Sequence, residues 1–276
     1  DTLDAVENSA IIRRLWPWKP QLSSRVAYGQ SQIERGLKWF EFSMFFRERY
    51  RNHLSITFAF VATHNHFVLD RGGKVFNRSA PVIKLPADAP EGDHLALLGL
   101  LNSSTACFWM KQVCHSKGSQ GINEGAKAEA WERFIEVSGS AIQDFPIPAD
   151  PIQTTASILD GEAAKLHGSL PDLINLTSGE QAALASGWLQ TLSACIALQE
   201  ELDWRCYELY GLVEADGTLR YPEPPEVQLG ERAFEIVMAR KMAASELETA
   251  WFERHGSTPV TETPAHWPEE YRAVVA

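Results

Sequence analysis

Three prolines, Pro146, Pro148 and Pro151, divide this chain into two stretches with different periodicities. A proline fixes its own φ and pushes the preceding residue toward extended backbone, so neither a helix nor an inner strand runs through such a cluster. Before it lie short β-branched and aromatic runs separated by turn residues. After it lie long amphipathic patterns. The expected fold class is α+β: a small, mostly antiparallel sheet with packed helices, followed by a helical spacer region. The expected division is 1–150 and 151–276.

Along the first part, Leu15-Trp16-Pro17-Trp18-Lys19-Pro20 reads as an extended aromatic wall. Residues 32–51 are partly helical in character, although Trp39-Phe40-Glu41-Phe42 could equally be strand. Arg47, Arg49 and Arg51 alternate, so on a strand they would share one side. Residues 55–62 and 66–70 read as strands, Gly72-Gly73 as a hairpin turn, and 74–77 and 80–85 as two further short strands. Residues 95–113 suit a buried helix interrupted at Asn102-Ser103-Ser104. The stretch 115–125 reads as a glycine-rich loop, and Phe145-Pro146-Ile147-Pro148 as an extended piece. Beyond the prolines, 178–210 reads as one long amphipathic helix stopped by Gly211. Residues 230–254 read as a second helix, and 262–276 as a bend and a short helix.

The net charge of −11 hides a polarised distribution. Residues 1–145 carry 17 Lys/Arg and 15 Asp/Glu, whereas 146–276 carry 8 and 21. Within 10–85 the count is 13 basic to 4 acidic. A local basic zone of this kind is either a phosphate-binding surface or an ordinary solvated face. No apolar run reaches the roughly 18 residues of a membrane span, and no secretory leader is visible. The chain begins at Asp1, and both ends read as cuts in a longer protein. The four cysteines, Cys107, Cys114, Cys195 and Cys206, form no C-x-x-C pair and read as buried free thiols of a cytoplasmic protein. His64 and His66 could in principle hold a metal, but no carboxylate or cysteine pattern accompanies them, and no metal is expected. Gly72-Gly73-Lys74 lacks the following helix of a phosphate cradle. There is no G-x-G triplet and no Asn-Pro-Pro-Tyr loop, so neither a methyl-donor site nor a flipped-base site is legible, and no catalytic residue is assigned.

Several long stretches resemble a known family. They are the run from His64 to Pro86, the run Leu97-Leu98-Gly99-Leu100-Leu101-Asn102-Ser103-Ser104-Thr105-Ala106-Cys107-Phe108-Trp109, and Gln199-Glu200-Glu201-Leu202-Asp203-Trp204 with Tyr207 and Tyr210-Gly211-Leu212. These resemble the specificity region of the PglX adenine-specific methyltransferases of type 2 BREX phage-defence systems. The shorter Leu-Asn-Ser and Phe-Pro-Ile-Pro pieces resemble, more loosely, target-recognition domains of type I and fused type II restriction–modification proteins. The resemblance implies that 1–150 is a DNA target-recognition domain and 151–276 an acidic helical spacer or docking region. It implies a role in restriction–modification or phage defence for a fragment that is not itself an enzyme. The parent's missing catalytic domain would bind S-adenosylmethionine and methylate adenine N6. The implied partners are double-stranded DNA, that methyltransferase domain and other BREX proteins, with no membrane. The alternative is a protein-interaction module that docks other defence-system subunits through its acidic helices.

A recognition domain needs cations for phosphates and a few side chains that reach base edges. The candidate DNA-binding residues are Arg47, Arg49, Arg51, Asn65, His66, Arg71, Lys74, Asn77, Arg78, Lys84, Lys117 and Gln120. Arginine can bind guanine through two hydrogen bonds, and Asn or Gln can do the same with adenine.

Overall fold

The computed structural model describes residues 10–44, 53–117, 133–149, 152–168, 178–213 and 224–276. The chain divides into two compact units, Asp1–Asn52 and His53–Ala276.

In the first unit, helix α1 (Ala10–Leu15) passes through a 3-10 turn (Trp16–Trp18) into α2 (Lys19–Ser23). The expected extended wall at 15–20 is thus helical. Pro17 and Pro20 each fall in the first turn of their element, where a helix needs no backbone N–H donor. Strands β1 (Val26–Ala27) and β2 (Gln30–Ser31) then form a hairpin across Tyr28 and Gly29, both at positive φ. The Trp39–Phe42 stretch is turn rather than strand. It is held by Arg25, whose guanidinium donates to the carbonyls of Trp39 (3.1 Å) and Glu41 (2.8 Å).

The second unit opens with β3 (Ser55–Phe58), β4 (Val61–Ala62), β5 (Phe67–Asp70) and β6 (Val82–Ile83). Strand β3 lies between β5 and β6 in an antiparallel sheet. Ile56, Phe58, Phe67 and Leu69 face the core, and Val68 alternates outward. Residues 74–77 do not form the expected strand, so Gly72 and Gly73, both at positive φ, make a turn but no hairpin. Val75 is 76% exposed and Asn77 accepts a hydrogen bond from Ser79 N at 2.9 Å; a local polar turn replaces a pairing that would bury nothing.

Helices α3 (Glu91–Leu101) and α4 (Ser104–Val113) follow. The expected interruption between them has a clear cause: Ser103 caps α4 by accepting from Ala106 N at 3.1 Å, and Asp203 accepts from Ser104 N at 2.6 Å. Strand β8 (Ile135–Glu136) lies between β4 and β7 (His115–Ser116) in a second antiparallel sheet, which makes the start of the expected 115–125 loop a strand. The rest of that loop, from 118 onward, lies outside the described residues. Helix α5 (Gly139–Gln143) precedes the Phe145–Pro148 piece, which forms no helix or strand; its N-cap Ser138 accepts from Ala141 N at 3.2 Å.

Helix α6 (Gln153–Gly168) then packs on α3 and on α7 (Ser178–Leu209), which also meets α4. Gly211, at φ 66°, stops α7 as expected. Residues 230–254 do not form one helix. They form α8 (Ala233–Ala243) and α9 (Trp251–His255), separated by Ser245 at φ 61°, a left-handed conformation that ends the first helix. Helix α10 (Glu269–Val275) closes the chain. The small antiparallel sheets and packed helices agree with the expected α+β class.

One apolar cluster joins β3, β5, α3, α4, α6 and α7 through Ile56, Leu101, Met110, Ile152, Ala156 and Leu202. Gly99 permits its closest approach. A Cβ there would lie 2.8 Å from Ala156 Cβ and 2.9 Å from Ile152 Cδ1. A second cluster holds Ala197, Val227, Ile236, Trp267 and Tyr271. No helix among the described residues is long and apolar enough to cross a membrane.

Candidate functional site

An open cleft of about 940 Å³ lies in the second unit. Its walls come from the 63–66 loop and β5, from α3 and α4, from α6 and α7, and from residues of α8 and α9. Two polar devices hold these walls in place. Asn102 and Phe67 exchange hydrogen bonds, side-chain Oδ1 accepting from Phe67 N (3.0 Å) and Nδ2 donating to Phe67 O (2.9 Å). They tie the C-terminal end of α3 to β5. On the far side, Arg232 donates to Glu200 (2.7 Å) and to Asp203, both on α7. Glu200 also accepts from Ala233 N at 3.1 Å, and Glu235 accepts from Trp251 Nε1 at 3.0 Å. Burial pulls the Arg232 pKa down, but Glu200 and Asp203 outweigh it and raise it above the ordinary value. The Gln199–Trp204 stretch thus positions the cleft wall.

His64 and His66 stand on the loop side with ring centroids 4.3 Å apart. His64 shares a 2.8 Å hydrogen bond with the Thr63 hydroxyl. Its pKa is lowered by burial first, then by the nearby bases His66, Lys111 and His255. His255 lies over Trp251 at 4.0 Å, nearly parallel, and Trp251 meets Phe234 edge to face at 5.5 Å. Lys111, His255, Phe108, Phe234 and Trp251 were not among the sequence candidates. They come from α4, α8 and α9, and no local pattern connects them.

The sequence candidates are placed as follows. Asn65 donates to the carbonyls of Leu101 (2.7 Å) and Ser103 (2.9 Å), across the α3–α4 junction. Arg71 bridges Glu91 and Asp160, each at 2.6 Å. Lys74 pairs with Asp70 at 3.4 Å, and Lys117 with Glu136 at 2.5 Å. Asn77 forms its local turn with Ser79. Arg78 lies 5.8 Å from the Phe60 ring, and Lys84 follows β6. Arg78 and Lys84 form no ion pair among the described residues. Of the whole set, the cleft takes in Asn65 and His66. Arg47, Arg49, Arg51 and Gln120 lie outside the described residues. Among the described residues no group of three or more His, Cys, Asp or Glu is placed to hold a metal ion. The four cysteines are free, with Cys114 and Cys206 buried.

A family model described as a domain of unknown function (DUF7008) matches residues 195–276, the span of the Arg232 latch, the second cluster and α8–α10. The chain is 43% identical over 275 residues to the adenine-specific methyltransferase PglX of Streptomyces coelicolor, a match covering 95% of this chain and 23% of that protein. The chain therefore spans less than a quarter of that relative's length. No solved structure matches it. Along nearly its whole length the chain is similar to the C-terminal region of an adenine-specific methyltransferase, PglX, which bears out the resemblance carried by the runs at 64–86, 97–109 and 199–212.

Proposed function

We propose that this chain is the DNA target-recognition module of an S-adenosylmethionine-dependent adenine-N6 DNA methyltransferase of cytoplasmic phage defence. Residues 1–150 would read the duplex. The acidic helices beyond would act as spacer and as docking surface for the methyltransferase domain and other defence-system proteins. The observation that carries this reading is the 43% identity extending over 95% of the chain. The basic excess of residues 10–85 supports it, because phosphate neutralisation supplies most of the affinity of DNA-binding proteins.

In this reading the phosphate contacts fall first to Arg47, Arg49, Arg51, Arg78 and Lys84. Arg71, Lys74 and Lys117 would have to leave a carboxylate partner to reach DNA. Five phosphate contacts predict that duplex affinity falls about 500-fold between about 50 and 200 mM salt. Charge reversal at Arg47, Arg49 and Arg51 should weaken binding and flatten that salt dependence by about three contacts. Fluorescence anisotropy of the chain on labelled duplexes measures both. Absence of duplex binding at low salt, with retained binding to a PglX methyltransferase domain, would favour the docking role instead.

A further inference from the structure

Among the described residues two that are not glycine have positive φ, Tyr28 at 54° and Ser245 at 61°. Serine is small and polar, whereas a bulky side chain in this conformation is an outlier. Tyr28 is the first of the two loop residues between β1 and β2, whose ends pair as Ala27 with Gln30. Gly29 follows at φ 78°. A two-residue loop with both residues at positive φ is the tight hairpin turn that asparagine followed by glycine fits best. The turn therefore accounts for Gly29 but not for Tyr28. Packing does not account for the ring either, since Tyr28 is 79% exposed. The Arg35 guanidinium stands 6.0 Å from the ring centre. That guanidinium is itself held, donating to Ser43 Oγ at 2.9 Å and to the Ser43 carbonyl at 2.6 Å. The hairpin thus presents an open aromatic ring on a tight turn beside a fixed cation.

Residues 10–44 carry six Lys/Arg and two Asp/Glu. Both carboxylates accept from backbone amides, Glu34 from Ser31 N and Glu41 from Lys38 N, each at 2.7 Å. A basic surface favours a polyanion, and an open ring favours a flat apolar face to stack on; a nucleic acid supplies both. A backbone outlier kept where a better turn residue exists points to a use for the side chain outside the fold. Chemistry on a base within a duplex requires that base to leave the stack, which opens a gap. We propose that Tyr28 is a wedge that enters the base stack of duplex DNA at the gap left by an extruded base, with Arg35 turned toward the adjoining phosphate. The ring stacks on the bases that border the gap, whatever their identity, because every base has a π-face. This inference rests on the target-recognition reading and adds to it a residue that holds the duplex open.

The test uses the whole chain and two labelled duplexes of one sequence, read by fluorescence anisotropy. One duplex is fully paired; the other has a single abasic site, which offers such a gap ready-made. The abasic duplex should bind about fivefold or more tightly than the paired one through stacking. Y28N should lose that preference while melting no lower than the parent, because asparagine suits the turn. Y28F, which keeps the ring, should keep the preference. The inference is overturned if the parent binds the two duplexes alike or if Y28N retains the preference. It also falls if Y28N melts well below the parent, since the ring would then serve the fold. Binding of the paired duplex without an abasic preference sinks the wedge and leaves the target-recognition reading standing. Absence of binding to either duplex at low salt sinks both.

Discussion

Arg232 illustrates how single residues secure this fold. Its guanidinium is held by Glu200 and Asp203 in a mostly buried setting, and Asp203 in turn caps α4. Removing one partner of such a group strands the others without compensation. R232M should therefore cost about 3 kcal/mol or more, measured by urea denaturation, even though methionine fills much of the same volume. Cys206 offers a second test. Burial pushes its thiol up to about 12, with a smaller lowering from its hydrogen bond to Ser103. The thiolate is the reactive form, so Cys206 should be labelled last of the four cysteines by a thiol reagent on the native protein, and together with the rest after denaturation. His64 gives the pH dependence. Its folded pKa lies below the ordinary 6.5, so the unfolded chain binds the proton more readily. Stability is then highest above that value and declines as pH falls through it, levelling off below the folded pKa. Thermal melting across this range should show that decline in the parent and a shallower one in H64Q.

At the level of elements, tight packing rather than propensity decides the outcome. Gly99 lies where α3 meets α6 and α7, and an added methyl would collide with Ala156 and Ile152. G99A should destabilise by about 1–3 kcal/mol, although alanine is the better helix former; a gain in melting temperature would show that the helices separate easily. The periodicities at 66–70, 95–113 and 178–210 made the corresponding elements legible, whereas 55–62, which reads as one strand, forms two, β3 and β4, in separate sheets. The break at 102–104 was legible as an interruption, and Gly211 as a cap. The prolines at 17 and 20 misled, since a proline excludes a helix interior but suits its first turn. Val75 misled in the opposite way: strand-like residues form a strand only where a partner edge and a core face await them. Strands β7 and β8 have two residues each and stand far apart in sequence, too short a pattern to register there. The expected helix over 230–254 broke at Ser245, where the backbone adopts a conformation that serine does not advertise.

For the whole molecule, charge and shape carry different information. The basic excess of 10–85 was visible by counting, and it remains the feature on which DNA recognition rests. The cleft was not visible. His64 and His66 stood out as a pair, but their companions Lys111 and His255 come from distant positions that only the tertiary packing assembles. Two nominated cations also turn out to face carboxylates from elsewhere in the chain, Arg71 facing Asp160 and Lys117 facing Glu136, and no local sequence window shows such a pairing. The central claim concerns reading rather than mere attraction to DNA, since any basic surface binds phosphates. It is tested most directly by selecting duplexes from a randomised library on the whole chain at moderate salt and sequencing the bound fraction. Target recognition requires enrichment of one defined sequence, with each mismatch in it costing about 1–3 kcal/mol. Retention of all sequences alike, or of none, would contradict it.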